Sequence, residues 1–127
     1  MLFLTDAAQL GWVEIDYQDK DQTSYVNISN VRVAGDKSYY WQKIVYAKPR
    51  SIDGKWSSSE FNNVVVNCAT STQAFLYRSW YEDANATGQL TKYVFYPEKG
   101  IEFHPIAPDS AADLERKVAC GGRMKPD

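Results

Sequence analysis

One histidine and two cysteines are all that this chain of 127 residues offers of the side chains most used for metal and nucleophilic chemistry. A Cys/His zinc site would run short of ligands, and the cysteines lie too far apart in sequence for a CxxC motif. Any Ser-His-Asp or Cys-His arrangement would have to use His104, between Phe103 and Pro105, which reads as an ordinary, partly exposed histidine. No metal, no cofactor and no catalytic set is expected. No apolar run approaches about 18 residues, so no helical membrane span is expected either. The opening Met1-Leu2-Phe3-Leu4-Thr5 is short for a signal-peptide apolar region and lacks a basic flank. Either the protein is cytosolic, or a leader has been removed ahead of Met1. Net charge is -2, with basic residues dispersed among acidic ones, which argues against a nucleic-acid surface. Gly100, Gly121 and Gly122 form no phosphate-binding loop.

What the chain has in excess is aromatic residues, nine Tyr and four Trp, set in strand-like runs. Trp12 to Tyr17 alternates, with Val13, Ile15 and Tyr17 on one face and Glu14 and Asp16 on the other. Two carboxylates two residues apart on a solvated face are common, so Glu14 and Asp16 are not read as a catalytic pair. Ser24 to Asn27 and Val31 to Ala34 are short strands broken near Ser29-Asn30, and Gly35-Asp36-Lys37 is a turn. Ser38 to Ala47 is a long aromatic and β-branched strand, the natural hairpin partner of Val31 to Ala34. Lys48-Pro49-Arg50 is expected to end it, because proline cannot donate to a ladder. Ser51 to Glu60 reads as the longest irregular loop, with an Asp53-Gly54 turn. Asn62 to Cys68 and Gln73 to Tyr81 follow as a hairpin, then Leu90 to Tyr96 and the short piece Ile101 to His104. The connections are short, so an antiparallel sheet of about six strands is expected.

Asp109 to Ala119 reads as a helix. Asp109 or Ser110 can cap it, Ser110-x-x-Asp113 resembles a capping box, and Gly121 suits the C-terminal cap. Its apolar stripe is narrow, Ala111, Leu114 and Val118, with Asp113, Glu115 and Arg116 on the other side. Such a helix of about three turns is marginal alone and needs the sheet. Cys68 ends a strand and Cys120 ends this helix, so the pair forms either one structural disulfide or two buried thiols. A bridge would add about 4 kcal/mol by chain-entropy arithmetic and would imply an oxidising compartment. If Cys68 faces the helix, Val64 and Val66 share that face, beneath Leu114 and Val118. One short helix cannot cover the whole sheet, which must therefore curl, pack on a partner or expose aromatic rings.

Asn67-Cys68, the returning strand Gln73 to Tyr81, Pro108-x-Ser110 through Val118-x-Cys120 and Trp41-x-Lys43-Ile44-Val45-Tyr46 together resemble the bacterial surface-adhesin protein E family. The resemblance runs over residues 12–120 and implies a single α+β domain over 1–127, with 1–11 and 121–127 as flanking tails. It implies one antiparallel sheet with a C-terminal helix tethered to its concave face by a Cys68–Cys120 disulfide. It also implies export to the periplasm or cell surface, often as a lipoprotein, sometimes dimerisation, and binding to host extracellular-matrix or serum proteins. The lipidated cysteine of a lipoprotein is absent from this chain. In a bacterial chain, Asn27-Ile28-Ser29 and Asn85-Ala86-Thr87 are chance glycosylation sequons.

The aromatic clusters Tyr39-Tyr40-Trp41 and Trp80-Tyr81, with Arg78 on the face of Trp80, are the candidate binding surface. The same rings could instead complete the core or a homodimer face. Two other functional readings stand beside adhesion. One is a periplasmic inhibitor or immunity protein whose Ser51 to Glu60 loop plugs a partner enzyme. The other is a small-molecule binder using the space between helix and sheet.

Overall fold

The computed structural model describes residues 11–121. The lead-in expected over residues 2–10 lies outside them. Eight strands form one antiparallel sheet: β1 (Trp12–Glu14), β2 (Gln22–Asn27), β3 (Arg32–Ala34), β4 (Lys37–Ile52), β5 (Lys55–Asn67), β6 (Thr72–Tyr81), β7 (Leu90–Phe95) and β8 (His104–Pro105). The order is β1-β2-β4-β5-β6-β7, with β3 also pairing β4 and β8 also pairing β6. Helix α1 (Ala111–Cys120) follows β8. A 3-10 turn over Ile28–Asn30 breaks β2 from β3, where Asn27 caps it by accepting from the Ser29 N–H.

Two expectations fail in the middle of the chain. Pro49 does not end β4, and Ser51 to Glu60 is not a loop. β4 continues to Ile52 and β5 starts at Lys55. The register between them shifts from Val45 to Arg50, so the proline falls in an irregular stretch where the ladder does not need its missing N–H. Asp53 and Gly54 both have positive φ, 51° and 82°, the backbone hand that a tight hairpin requires. The result is one long ribbon bearing an exposed Trp56 near its tip. The first strand is shorter than expected. Ile15 stays buried but Tyr17 points to solvent.

Helix α1 is held at both ends. The Ser110 side chain accepts from the Asp113 N–H, and Asp113 accepts from the Asp109 N–H, a capping box displaced by one residue. Gly121, at φ 56°, turns its N–H back to the Lys117 carbonyl. Cys68 and Cys120 are bonded, with their Cα atoms 5.9 Å apart. The helix packs across β2, β4 and β5. Beneath it lie Val26, Tyr40, Val64 and Val66, with Leu114 and Val118 packed against them.

The polar side of this helix departs from expectation. Asp113, Glu115 and Arg116 are buried, at 7%, 2% and 8% exposure, although their charge placed them outward in the sequence. Asp113 and Arg116 neutralise each other, with two nitrogens of the guanidinium donating to Oδ1 at 3.0 and 2.8 Å. Glu115 turns onto the sheet and finds donors there.

Candidate functional site

The pleat of β4 sorts its residues between two faces, and the register to β5 carries the sorting across. Tyr40 lies opposite Val64 and Gln42 opposite Asn62, on the helix side. Trp41 lies opposite Asn63 and Lys43 opposite Phe61, on the other side. The register from β5 to β6 shifts between Asn63 and Val64, so Phe75 pairs with Val64 but Tyr77 pairs with Asn63. That single irregularity moves Tyr77 to the side of Trp41.

The helix side carries a buried polar network. Glu115 accepts from the Tyr40 hydroxyl at 2.8 Å and from Gln42 Nε2 at 2.8 and 3.0 Å. Burial pushes the Glu115 carboxyl up to about 7, although both hydrogen bonds pull the other way. Burial, reinforced by Glu115, holds the Tyr40 hydroxyl well above its ordinary value. Asn62 links Gln42 to Glu60, donating at 2.8 and 3.0 Å. Glu60 also accepts from Tyr46 and from Arg78 Nη2, the latter at 2.6 Å. The Arg78 guanidinium lies 4.5 Å from the Phe75 ring centre and 4.8 Å from that of Trp80. Buried carboxylates with this many donors hold a sheet and helix in one arrangement, which is a structural duty.

The other side carries no helix among the described residues. A row of rings crosses it instead: Trp12, Phe61, Trp41, Tyr77, Phe95 and Tyr93. Successive centroids are 5.9, 4.9, 6.3, 4.7 and 5.7 Å apart. Such ring pairs contribute about 0.5–1.5 kcal/mol each beyond their buried area. Tyr93 and Phe95 are 58% and 69% exposed, and the other four rings are partly exposed. Lys43 Nζ lies 5.1 Å from the Trp12 ring centre and 5.3 Å from that of Tyr25, so the row has a cation at one end.

The residues singled out from sequence do not form one patch. Tyr40 is fully buried beneath the helix and presents no surface. Tyr39 is on the open side but is 6% exposed, because Ile101 and Phe103 pack over its cluster and its hydroxyl donates to Glu98 at 2.7 Å. Arg78 and Trp80 belong to the polar network of the helix side, where Trp80 is 7% exposed. Tyr81 is partly exposed at the end of β6. Of the set, Trp41 alone stands in the aromatic row. The row's other members, Trp12, Phe61, Tyr77, Tyr93 and Phe95, were missed. Their alternation was visible in the sequence, but the strand register that aligns them was not. His104 is exposed, 3.7 Å from the Glu102 carboxylate. The Glu115 network lies between helix and sheet, and Ser51 to Glu60, expected as a loop, lies in the β4–β5 hairpin.

The described residues hold no cluster of His, Cys, Asp and Glu able to bind a metal ion. What the open side can do is bury aromatic surface against a partner.

A family profile described as Surface-adhesin protein E matches residues 12–121. No protein of curated function matches the chain in sequence. Solved structures of protein E from Haemophilus influenzae have the same fold. The selenomethionine form aligns with a TM-score of 0.65 at 12% identity, over 88% of this chain and 87% of that one. Another structure of the protein gives 0.64 at 12% identity, over 92% and 89%. Protein E from a non-typeable strain gives 0.54 at 13% identity, over 94% and 84%. Identities this low speak for the fold, whereas the profile covers nearly all of the described residues. A sheet clasped to its helix by Cys68–Cys120, with that profile match, leaves one conclusion: the chain belongs to the surface-adhesin protein E family.

Proposed function

We propose that this chain is a non-enzymatic protein displayed at the bacterial surface, where the sheet face opposite helix α1 binds a host extracellular-matrix or serum protein. The family is one of surface adhesins, and export to an oxidising compartment agrees with the disulfide. The observation that carries the reading is the aromatic row. Six rings in contact across the sheet, two of them more than half exposed, form an apolar surface of the composition found at binding hot spots. Aromatic rings also lose little side-chain freedom on binding, since each has only two torsions to fix.

The test is solid-phase binding of the purified protein to a panel of matrix and serum proteins. Saturable binding to at least one of them at about micromolar concentration or tighter is expected. Absence of saturable binding to every member would overturn the adhesive reading.

A further inference from the structure

The chain between β7 and β8 leaves a gap in the sheet. β7 pairs with β6 from Tyr77 to Tyr81, and β8 pairs with it at Thr72 and Gln73. Between them, Ala74, Phe75 and Leu76 pair with no strand on that side among the described residues, and the Tyr96 N–H donates to the Leu76 carbonyl. Residues 96–103 arch away. Pro97 has no N–H to offer, Gly100 takes a positive φ of 79°, and the Ile101 N–H turns back to the Glu98 carbonyl at 3.2 Å. The arch is nonetheless pinned. Tyr39 donates to Glu98, and Ile101 and Phe103 pack onto Tyr39, Val65 and Ala74.

Under the pinned arch is a cavity of about 500 Å³, within the usual size of small-molecule sites. Ala74, Phe75, Pro97 and Ile101 give it apolar walls. Water in such a space finds few hydrogen-bond partners, and the walls forgo dispersion contacts that an apolar body would supply. Two charges of opposite sign stand at the rim with His104. Glu102 faces His104 Nε2 at 3.7 Å, whereas Lys99 has no ion pair among the described residues. Lys99 is thus the one charged side chain of the lining with no ion-pair partner among the described residues.

We infer that this cavity binds a small organic carboxylate with an apolar body. The body sits on Ala74, Phe75 and Ile101, and the carboxylate meets Lys99. The site is separate from the aromatic row and stands or falls independently of adhesion.

The test is an NMR titration of the full chain with two probes, decanoate for an acyl body and 2-naphthoate for an aromatic one. Saturable shifts of the Ala74, Phe75, Gly100 and Ile101 amides, with Kd of about 0.1–1 mM, are expected for at least one probe. The tighter probe names the body. Lys99→Met should weaken binding at least about fivefold, in line with loss of a charge-assisted contact. Ala74→Phe, which fills the floor, should abolish it. Because Ala74 also packs on Tyr39 and Val65, the wild-type shift map is the second reading that does not depend on that variant folding. No saturable shift with either probe, shifts centred on Trp41, Tyr93 and Phe95, or a Lys99→Met variant of unchanged affinity would each overturn the assignment.

Discussion

Tyr40 and Trp41 are neighbours in β4 with opposite surroundings. Tyr40 is fully buried, its hydroxyl bonded to a carboxylate that the helix delivers from 75 positions away. Trp41 lies on the side away from helix α1, stacked at 4.9 Å on Phe61 with the planes 17° apart. The first face satisfies buried polar groups by bringing in a partner element. The second has no helix among the described residues, and its rings from Trp12 to Tyr93 cover one another. A face closed by hydrogen bonds and a disulfide is committed to folding. A face whose apolar surface is only half covered retains free energy to be gained from a partner.

If that division is right, damage to the two faces should separate stability from binding. The largest stability effect belongs to the clasp. Against the described core, helix α1 packs the small apolar set Ala112, Leu114 and Val118 around its two buried C-terminal residues, Ala119 and Cys120. Cys68→Ser should lower unfolding free energy by about 2–5 kcal/mol in denaturant titration. An unchanged midpoint would remove the clasp from the account.

Next comes Glu115. In the folded chain it keeps its proton up to about pH 7, against an ordinary value of 4.5 once unfolded. Between those values the unfolded state binds fewer protons, so stability falls as pH rises through the window. The contribution is fully present below 4.5 and lost by the time pH has passed about 7. Over that window it amounts to about 3 kcal/mol, since each pH unit between the two values is worth roughly 1.4 kcal/mol. Glu115→Gln should flatten this part of the stability–pH curve. A variant that keeps the wild-type slope would show that another group titrates there.

Smaller again is Tyr40→Phe, which removes one donor from Glu115. A loss of about 1–2 kcal/mol is expected at pH 8, where the acceptor is charged, and less at pH 5. The Glu115 titration should also move upward, since the Tyr40 hydrogen bond pulls it down. Unfolding curves at the two pH values check both effects. The smallest change should come from the open face. Tyr93→Ser with Phe95→Ser removes two ring contacts of residues that are 58% and 69% exposed and should cost about 1 kcal/mol, the low end for two such pairs.

Much of this architecture was legible in the sequence because it depends on local pattern. The capped helix, the Asn62 to Cys68 strand and the short antiparallel connections follow from caps, alternation and turn residues. The cysteine pairing was narrowed by position and supplied by the family resemblance. Three features depended on contacts between distant residues and were lost. Pro49 looked like a strand end because its tolerance rests on the irregular register opposite it, which involves β5. Glu115 looked exposed because a buried carboxylate needs donors, and Tyr40 and Gln42 become its donors only once the helix lies across β4. The aromatic row was invisible because the register shift between Asn63 and Val64 reverses which residues of β6 share a face with Trp41. Local alternation found the rings, and long-range register decided their side.

The most direct test of the division between faces uses one matrix or serum protein that the wild-type chain binds, and compares three proteins by surface plasmon resonance. These are the wild type, the Tyr93→Ser/Phe95→Ser variant and Tyr40→Phe, all at a pH and temperature where each is folded. The open-face variant should lose at least about tenfold in affinity, while Tyr40→Phe should bind as the wild type does. An open-face variant with unchanged affinity, or a Tyr40→Phe variant that loses binding while still folded, would contradict it.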